Sequence, residues 1–211
     1  DSEVKLYLSL LLSTALITFL TLYASDNIYD EMIVDSVFQA VSIGTTTGFL
    51  TSNYSSWPLF VPIMLLIAAF IGACAGSTGG GIKVIRALIL LRQGTSEITK
   101  LIHPNAVVTI KFGKKTLDPK VSESVWGFFA VYVATFLLIL MFLLSQNNDF
   151  LTSFSAVGAT LNNLGPGLGS VSENYKDITD ISKLVLCISM LLGRLEIFTL
   201  LLIFTPAFWR N

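Results

Sequence analysis

Two short segments of this chain combine glycine with hydroxyl or amide side chains, a pattern suited to holding a cation through backbone oxygens. Segment A consists of Ile43, Gly44, Thr45, Thr46, Thr47 and Gly48. Segment B consists of Leu161, Asn162, Asn163, Leu164 and Gly165. A cation that loses its water needs several oxygen dipoles around it, and backbone carbonyls supply them when the chain runs extended toward a pore axis. These residues are therefore the candidate ligands for a cation such as K+.

Each segment follows an apolar stretch that is too short to cross a membrane. Phe38-Gln39-Ala40-Val41 and Phe154-Ser155-Ala156-Val157 precede them at a similar distance, which indicates an internal duplication. A half-length helix over residues 35–42 would direct its C-terminal carbonyls at the cation, and Pro166 would fix the exit from segment B. Taken alone, a glycine and threonine run is more typical of an ordinary turn. Its repetition after a half-helix, where re-entrant backbone must line water or protein, favours the pore interpretation.

A third glycine-rich stretch, segment C, covers residues 72–81. Glycine costs about 1 kcal/mol relative to alanine in a helix, so this composition predicts a break in the helix that contains it. We expect an irregular loop that obstructs the pore beyond segments A and B. A close helix-packing surface is the alternative. A phosphate-binding loop is disfavoured, because Gly81 is followed by Ile82-Lys83-Val84 instead of lysine and then serine or threonine. The members assigned to this gating loop are Gly72, Gly76, Ser77, Thr78, Gly79, Gly80 and Gly81, with Lys83 associated with it.

Arg194 interrupts an otherwise apolar stretch, where an arginine costs roughly 2.5–3.5 kcal/mol and therefore usually faces a cavity or a partner. It lies 29 residues after Gly165, and Ser77 lies 29 residues after Gly48. If the two halves superpose, Arg194 stands at the depth of segment C, where its charge would oppose a cation. The alternative is an ion pair with Glu196, but residues two apart on a helix point to different faces.

The remaining reactive side chains give no support to catalysis. Cys74 and Cys187 lie in apolar stretches and are expected to be small core residues in a reduced or lipid-buried setting. His103 has no second metal ligand nearby. The residues form no nucleophile triad or paired carboxylates. We therefore predict a protein that is not an enzyme and carries no cofactor on this chain.

Composition places these segments in a membrane protein. Of the 211 residues, 53% are hydrophobic and only 13% are charged, about half the charge of a typical soluble domain. Four uncharged or nearly uncharged stretches reach the roughly 20 residues needed to cross a bilayer: 6–24, 58–82, 124–145 and 181–208. The chain opens on acidic residues and at once enters the first stretch, so we expect it to begin inside a longer protein.

The distribution of charge predicts the orientation of these spans. Eight of the 13 Lys and Arg residues lie between the second and third spans, which places that connection in the cytoplasm. The other two connections then face outward and are acid-rich, with Asp35 and Asp149 among their carboxylates. They are either ordinary solvated loops or acidic rims that concentrate cations at a pore mouth. A net charge of -1 gives no indication of a nucleic-acid partner.

In these motifs, the chain resembles the C-terminal half of a subunit of the TrkH/KtrB superfamily of K+ transporters. The resemblance covers essentially the whole chain. The matching motifs are SIGTTTGF at residues 42–49, GSTGGGIK at 76–83, TLNNLGPGLG at 160–169 and LLGRLEIF at 191–198.

The resemblance implies an all-α membrane protein built from tandem M1-P-M2 units, each a helix, a re-entrant pore loop and a helix, around a pseudo-fourfold pore. Residues 1–102 would form the third unit, 103–123 a cytoplasmic connection and 124–211 the fourth unit. Gly48 and Gly165 would be filter glycines, and Arg194 would stand beside the gating loop. The family forms homodimers in the bacterial inner membrane, and a TrkA-type regulatory ring that binds nucleotides docks on the cytoplasmic face.

Two departures limit what the resemblance implies. Two units cannot enclose a fourfold pore, so the remaining N-terminal units are absent from this chain. Segment B, with two asparagines and a following proline, also differs from segment A, which leaves the preference for K+ over Na+ open. The alternative function is a non-conducting membrane scaffold subunit whose glycines serve helix packing.

Overall fold

A computed structural model of the chain describes residues 2–25, 29–77, 79–103, 111–112, 115–195, 197–198 and 209. Within these ranges the elements are, in order, α1 (Ser2–Ala24), α2 (Met32–Gly44), α3 (Phe60–Ile71), α4 (Val84–Ile102), β1 (Lys111–Phe112), β2 (Lys115–Thr116), α5 (Pro119–Ser145), α6 (Phe150–Leu161) and α7 (Asp180–Arg194). Short 3-10 turns occur at Tyr54–Ser56 and Gly169–Val171.

Two helices of the described chain, α1 over Glu3–Ala24 and α5 over Lys120–Ser145, are long and apolar enough to cross a membrane. Leucines recur on α1 at intervals of four residues and are exposed, Leu12 to 71%. On α5, Leu138 is 72% exposed. Contiguous apolar faces of this size are rare on soluble monomers, so these faces are typical of helices in contact with lipid.

The second predicted span is broken, as the sequence predicted. Helix α3 ends at Ile71, segment C follows as irregular backbone, and α4 begins at Val84. The fourth predicted span is also interrupted. Arg194 is the last residue of helix α7, while Glu196 and residues 199–208 lie outside the described part of the chain.

The two half-length helices are present, with α2 between α1 and α3, and α6 between α5 and α7. Asp149 is the N-cap of α6, and its carboxylate accepts a hydrogen bond from the backbone N–H of Thr152 at 3.0 Å. The corresponding N-cap of α2, Glu31, makes no side-chain hydrogen bond of this kind. Asp35, in the first turn of α2, is buried and accepts a hydrogen bond from the Tyr29 hydroxyl at 2.9 Å, so it is not a solvated loop residue.

Packing joins each half-helix to the helices of its own half of the chain, and an aromatic cluster joins the two halves. Helix α1 packs on α2, and α6 packs on α7. Phe70 at the end of α3 lies 5.5 Å from the ring of Phe136 on α5 and 6.2 Å from that of Phe154 on α6, measured between centroids. Offset and edge-to-face ring pairs at such distances stabilise a fixed geometry. The half-helices are thereby held at a defined relative position.

The fold departs from an all-α architecture at one point. Strands β1 and β2 form a two-stranded antiparallel hairpin in which Lys111 pairs with Thr116 and Phe112 with Lys115. The hairpin belongs to the charged connection between α4 and α5. Because water can satisfy backbone groups there, this region does not have to be helical, in contrast to lipid-exposed segments.

Candidate ion pore

Segment A begins as the capped end of helix α2. The N–H of Thr46 donates to the carbonyl of Ile43 at 3.0 Å, and the N–H of Thr47 donates to that of Ser42 at 2.8 Å. This pair of bonds is a Schellman motif, which places the residue at Thr46 in the left-handed region, with φ of 57°. A β-branched residue is rarely found there, so Thr46 needs support from its surroundings.

Segment B repeats the same motif at the end of α6. Asn163 has φ of 53° and its N–H donates to the carbonyl of Thr160 at 3.0 Å, while the N–H of Leu164 donates to that of Ala159 at 2.8 Å. Asparagine is a common residue at this position of the motif, whereas threonine is not. In both segments, successive N–H groups therefore donate to carbonyls of the last helical turn. The carbonyls of the loop itself do not take part in these bonds.

The hydrogen bonds fix how the two halves correspond. Thr46 and Asn163 play the same part, as do Gly48 and Gly165, which sets the repeat at 117 residues. The sequence match of residues 38–41 with 154–157 is therefore wrong by one residue, since it equates positions 116 apart. That match was based on side-chain identity along apolar helices, where neighbouring residues are often alike. The backbone hydrogen bonds at the helix ends define which residues of the two halves correspond.

The predicted ligands divide into two groups along each segment. Ile43, Gly44 and Leu161 lie in the last turns of α2 and α6, and the non-helical backbone begins only at Thr45 and Asn162. Both of these caps have ψ near zero, and the residues directly after them, Thr46 and Asn163, have positive φ. The carbonyls free to face a cation are thus those of the later residues of each segment.

Segments A and B lie directly against each other. A Cβ added at Gly48 would stand 1.9 Å from the carbonyl oxygen of Leu164, and the residue has φ of 82°, so only glycine fits there. Both Gly48 and Gly165 line one open cavity of about 590 Å³, together with Glu173 and Tyr175. A Cβ added at Gly165 would meet no atom within 4 Å. The two segments therefore face a common space.

Tyrosines that the sequence analysis did not identify hold the backbone around the two segments. The Tyr175 hydroxyl donates to the Gly165 carbonyl at 2.8 Å, and the Tyr54 hydroxyl donates to that of Gly167 at 3.0 Å. Burial raises the pKa of both phenols, so they remain protonated donors at neutral pH. Behind segment B, the Tyr132 hydroxyl donates to Asn162 Oδ1 at 2.7 Å. The signal in the sequence that could have identified Tyr54 and Tyr175 is the occurrence of a tyrosine in each connection that follows segment A or segment B.

Segment C is folded back on itself and lies against segments A and B. The N–H of Ile82 donates to the carbonyl of Phe70 at 2.9 Å, which closes the loop at its base. The N–H of Gly80 donates to Thr46 Oγ1 at 3.1 Å. A Cβ added at Gly80 would lie 1.7 Å from the carbonyl oxygen of Asn162. The segment is not helical, so the helix-packing alternative for it is wrong.

Other members of segment C are held by charged side chains. The Lys83 ammonium donates to the carbonyls of Ser77 and Gly79, so it ties the loop to the start of α4. The N–H of Ala75 donates to Glu3 Oε1 of α1 at 2.6 Å. Gly72 caps α3, and Gly76 has φ of 79°. Thr78, predicted as part of the gating loop, lies outside the described residues.

A cavity of about 180 Å³ lies beside segment C, and its lining combines three cationic side chains with Leu161 of segment B, Phe128 and Tyr132. Lys83, Arg86 and Arg194 all border it, as do Ser77, Gly79 and Gly81 of segment C. The guanidinium carbon of Arg86 lies 4.2 Å from the ring centroid of Phe128. Arg194 is thus near segment C, as its spacing from Gly165 predicted.

The other singled-out residues lie apart from this arrangement. His103 is exposed and caps the end of α4. Cys187 is an exposed thiol on α7, whereas Cys74 is a half-buried thiol within segment C. The two cysteines form no disulfide with each other, and Cys187 points outward from its apolar helix, where the prediction of a lipid-buried setting stays a prediction.

Comparison with known proteins gives a consistent result. The family model TrkH, cation transport protein, matches residues 6–211. Trk system potassium uptake protein TrkH of Vibrio parahaemolyticus is 49% identical over all of this chain and 44% of its own length. TrkG of Escherichia coli is 38% identical over the same shares. The crystal structure of the potassium transporter TrkH from Vibrio parahaemolyticus matches with a TM-score of 0.92 at 48% identity, over 100% of this chain and 45% of that one. The chain spans less than half the length of these relatives.

Proposed function

Because this chain belongs to the TrkH family of cation transport proteins, we propose that it supplies two of the units that enclose a K+ uptake pore. In this proposal α1, α2 and the broken pair α3 and α4 form one M1-P-M2 unit, within residues 1–102. Helices α5, α6 and α7 form the next, within 124–211. The chain would span a bacterial inner membrane several times, with the connection at 103–123 in the cytoplasm.

One observation carries the proposal. Two half-helices end in the same Schellman motif, 117 residues apart, and their loops meet where Gly48 lies against the carbonyl of Leu164. The C-terminal ends of both helices favour a positive charge, and the following carbonyls can replace the water of a dehydrated ion. Segments A and B therefore act as half of a selectivity filter, with Gly48 and Gly165 as its filter glycines.

Segment C acts as the gate. Its contacts with Thr46 of segment A and with Asn162 of segment B support a gating position next to the filter. Lys83 holds the loop in shape, and the positive charge of Arg194 in the cavity beside it raises the barrier for a cation. Displacement of this loop would open the path.

The contact pattern argues against a non-conducting scaffold. Glycines that serve helix packing lie on helix surfaces that face other helices. Here Gly48 and Gly80 instead meet backbone carbonyls of segment B. Such contacts bring loops together around a shared space, whereas Gly44 and Gly158 are the glycines that pack against side chains of other helices.

A complete pore would also need the remaining N-terminal M1-P-M2 units. Helix α2 exposes an apolar face formed by Ile33, Val34, Val37, Phe38 and Val41. Gly165 is open on one side. Both features suit contact with further units around the same axis. A homodimer partner, surrounding lipid and a cytoplasmic TrkA-type nucleotide-binding protein complete the proposed assembly.

The proposal is tested with the full-length subunit expressed in a bacterium that lacks its own K+ uptake systems. Growth at low K+ and uptake of Rb+ are measured for the unmodified protein, for Gly48→Ser and for a variant without residues 76–81. We expect growth rescue by the unmodified protein, loss of K+ preference in Gly48→Ser, and greater flux in the deletion variant. Normal membrane levels without rescue would support the scaffold function instead.

A further inference from the structure

A glutamate at the start of the first helix contacts the gate, and it belongs to none of the motifs considered above. Glu3 lies in the first turn of α1 and is only 8% exposed. Burial of a carboxylate is unfavourable unless it is hydrogen-bonded or paired. A position at a helix start gives some stabilisation by itself, but such positions are usually solvated. The burial therefore calls for a specific contact.

That contact is with segment C. Glu3 Oε1 accepts a hydrogen bond from the backbone N–H of Ala75 at 2.6 Å, across 72 residues of sequence. Hydrogen bonds that involve an ionised carboxylate are shorter and roughly twice as strong as neutral ones. Ala75 is followed by Gly76 with φ of 79°, so this corner of the loop has a backbone that few side chains allow. An external anchor at this corner restricts an otherwise adaptable backbone.

Two further contacts hold the part of segment C that follows Ala75. Thr46 holds Gly80 from the filter side, and Lys83 holds the carbonyls of Ser77 and Gly79 from the start of α4. Glu3 holds the opposite corner, near Cys74 and Ala75, from a different helix. A loop fixed at both corners cannot swing aside as a unit unless one of the anchors is released.

We infer that Glu3 is a positioning residue of the gate, and that its carboxylate keeps segment C across the pore by holding Ala75. This inference rests on the proposed function of segment C. It adds a mechanical link, because any displacement of the first turn of α1 is passed directly to the loop. The first turn of α1 is also where this chain joins the cytoplasmic side in the predicted orientation, so a regulator acting there could reach the gate without touching the filter.

The test compares three variants of the full-length subunit in proteoliposomes. Glu3→Ala removes the acceptor, Glu3→Gln keeps a neutral acceptor of the same shape, and Glu123→Ala is the matched control. Glu123 is an exposed residue near the start of α5 and does not belong to segment A, B or C. We expect about ten-fold greater K+ flux for Glu3→Ala, a smaller rise for Glu3→Gln and none for Glu123→Ala. The ratio of K+ to Na+ permeability stays unchanged, because no filter contact is altered.

A second measurement is independent of transport. Cys74, adjacent to Ala75, is half-buried in segment C and serves as a built-in probe. Its labelling by a maleimide, quantified on the peptide by mass spectrometry, should be several-fold faster in Glu3→Ala than in Glu3→Gln, which removes the same negative charge beside the thiol, and than in the Glu123→Ala control. If Glu3→Ala does not accumulate in the membrane, K+ flux and Cys74 labelling of Glu3→Gln, compared with the unmodified protein, test the role of Glu3 instead.

The outcomes separate the two proposals. Unchanged flux and unchanged Cys74 labelling in a protein that conducts K+ would overturn the role of Glu3 and leave the pore intact. An altered permeability ratio in Glu3→Ala would also overturn it, since the residue would then act on the filter. If the unmodified protein carried no K+ at all, the pore function would fail, while faster Cys74 labelling would still support Glu3 as the anchor of the loop.

Discussion

The α-carbon of Gly48 lies so close to the carbonyl oxygen of Leu164 that a Cβ at position 48 would stand 1.9 Å from it. The two residues are 116 positions apart and belong to different halves of a duplicated chain. Their contact is where segments A and B meet, and it allows no side chain on Gly48. The position also has φ of 82°, which adds a backbone cost of roughly 1–2 kcal/mol for any other residue.

Gly48→Ala is therefore expected to displace segment B from segment A and to reduce the preference for K+ over Na+ by about ten-fold or more. The measurement is the permeability ratio in proteoliposomes that contain the full-length subunit. Gly94→Ala is the control, because Gly94 lies on α4 with no atom within 4 Å of an added Cβ. An unchanged ratio in Gly48→Ala would argue against a shared filter.

Gly80→Ala is expected to increase K+ flux without a loss of folding. Its Cβ would lie 1.7 Å from the carbonyl oxygen of Asn162, so segment C has to move away from segment B. That shift also lengthens the bond from the Gly80 N–H to Thr46 Oγ1. Flux and thermal stability are measured against the same Gly94→Ala control. Flux at or below the unmodified level in a stable protein would contradict the gate.

Arg194→Ala is expected to increase K+ flux by several-fold, since it removes a positive charge from the cavity beside segment C. Arg194→Lys keeps the charge and should remain close to the unmodified protein. The difference between the two variants, recorded at low ionic strength and again at high ionic strength, separates the electrostatic effect from packing, because screening weakens only the former. Equal flux for both variants would assign Arg194 a structural role.

Tyr175→Phe should lower the preference for K+ by roughly five-fold, since a hydrogen bond of about 1 kcal/mol to the Gly165 carbonyl is lost. Burial raises the pKa of this phenol, so the donor is fully present below the usual pKa of tyrosine and is lost only as pH rises through the raised pKa. The effect of the mutation on the permeability ratio should thus be constant between about pH 6 and pH 9. Tyr23→Phe, at an exposed position on α1, is the control.

Asp149→Ala should reduce the stability of the detergent-solubilised protein by about 0.5–2 kcal/mol, because it removes the N-cap of α6. The hydrogen bond from Thr152 lowers the pKa of Asp149, so the cap is complete at neutral pH and is lost as pH falls through this lowered pKa. Glu31→Ala is the matched control, since Glu31 makes no capping bond on α2. Equal changes in thermal midpoint for both variants would refute the difference between the two caps.

Local features of the fold were predictable from the sequence because they follow from short-range preferences. Long apolar runs predicted α1 and α5, and the glycines of segment C predicted the break between α3 and α4, since a helix tolerates few glycines. The recurrence of glycine after a half-length apolar run predicted segments A and B. The spacing of Arg194 from Gly165 also predicted its place beside segment C, because a duplicated architecture repeats distances along the chain.

Relations across the chain were decided only by the tertiary structure. The register of 117 residues, the contact of Gly48 with Leu164, the bond from Gly80 to Thr46 and the anchor at Glu3 each join residues that are at least 34 positions apart. They depend on how helices pack around one another, and packing is set by the combined shape of many side chains. The sequence around a single glutamate or tyrosine does not indicate which distant residue its side chain will contact. The sequence by itself therefore determined which segments could hold or block a cation, and the packing of the helices determined which residues keep those segments in place.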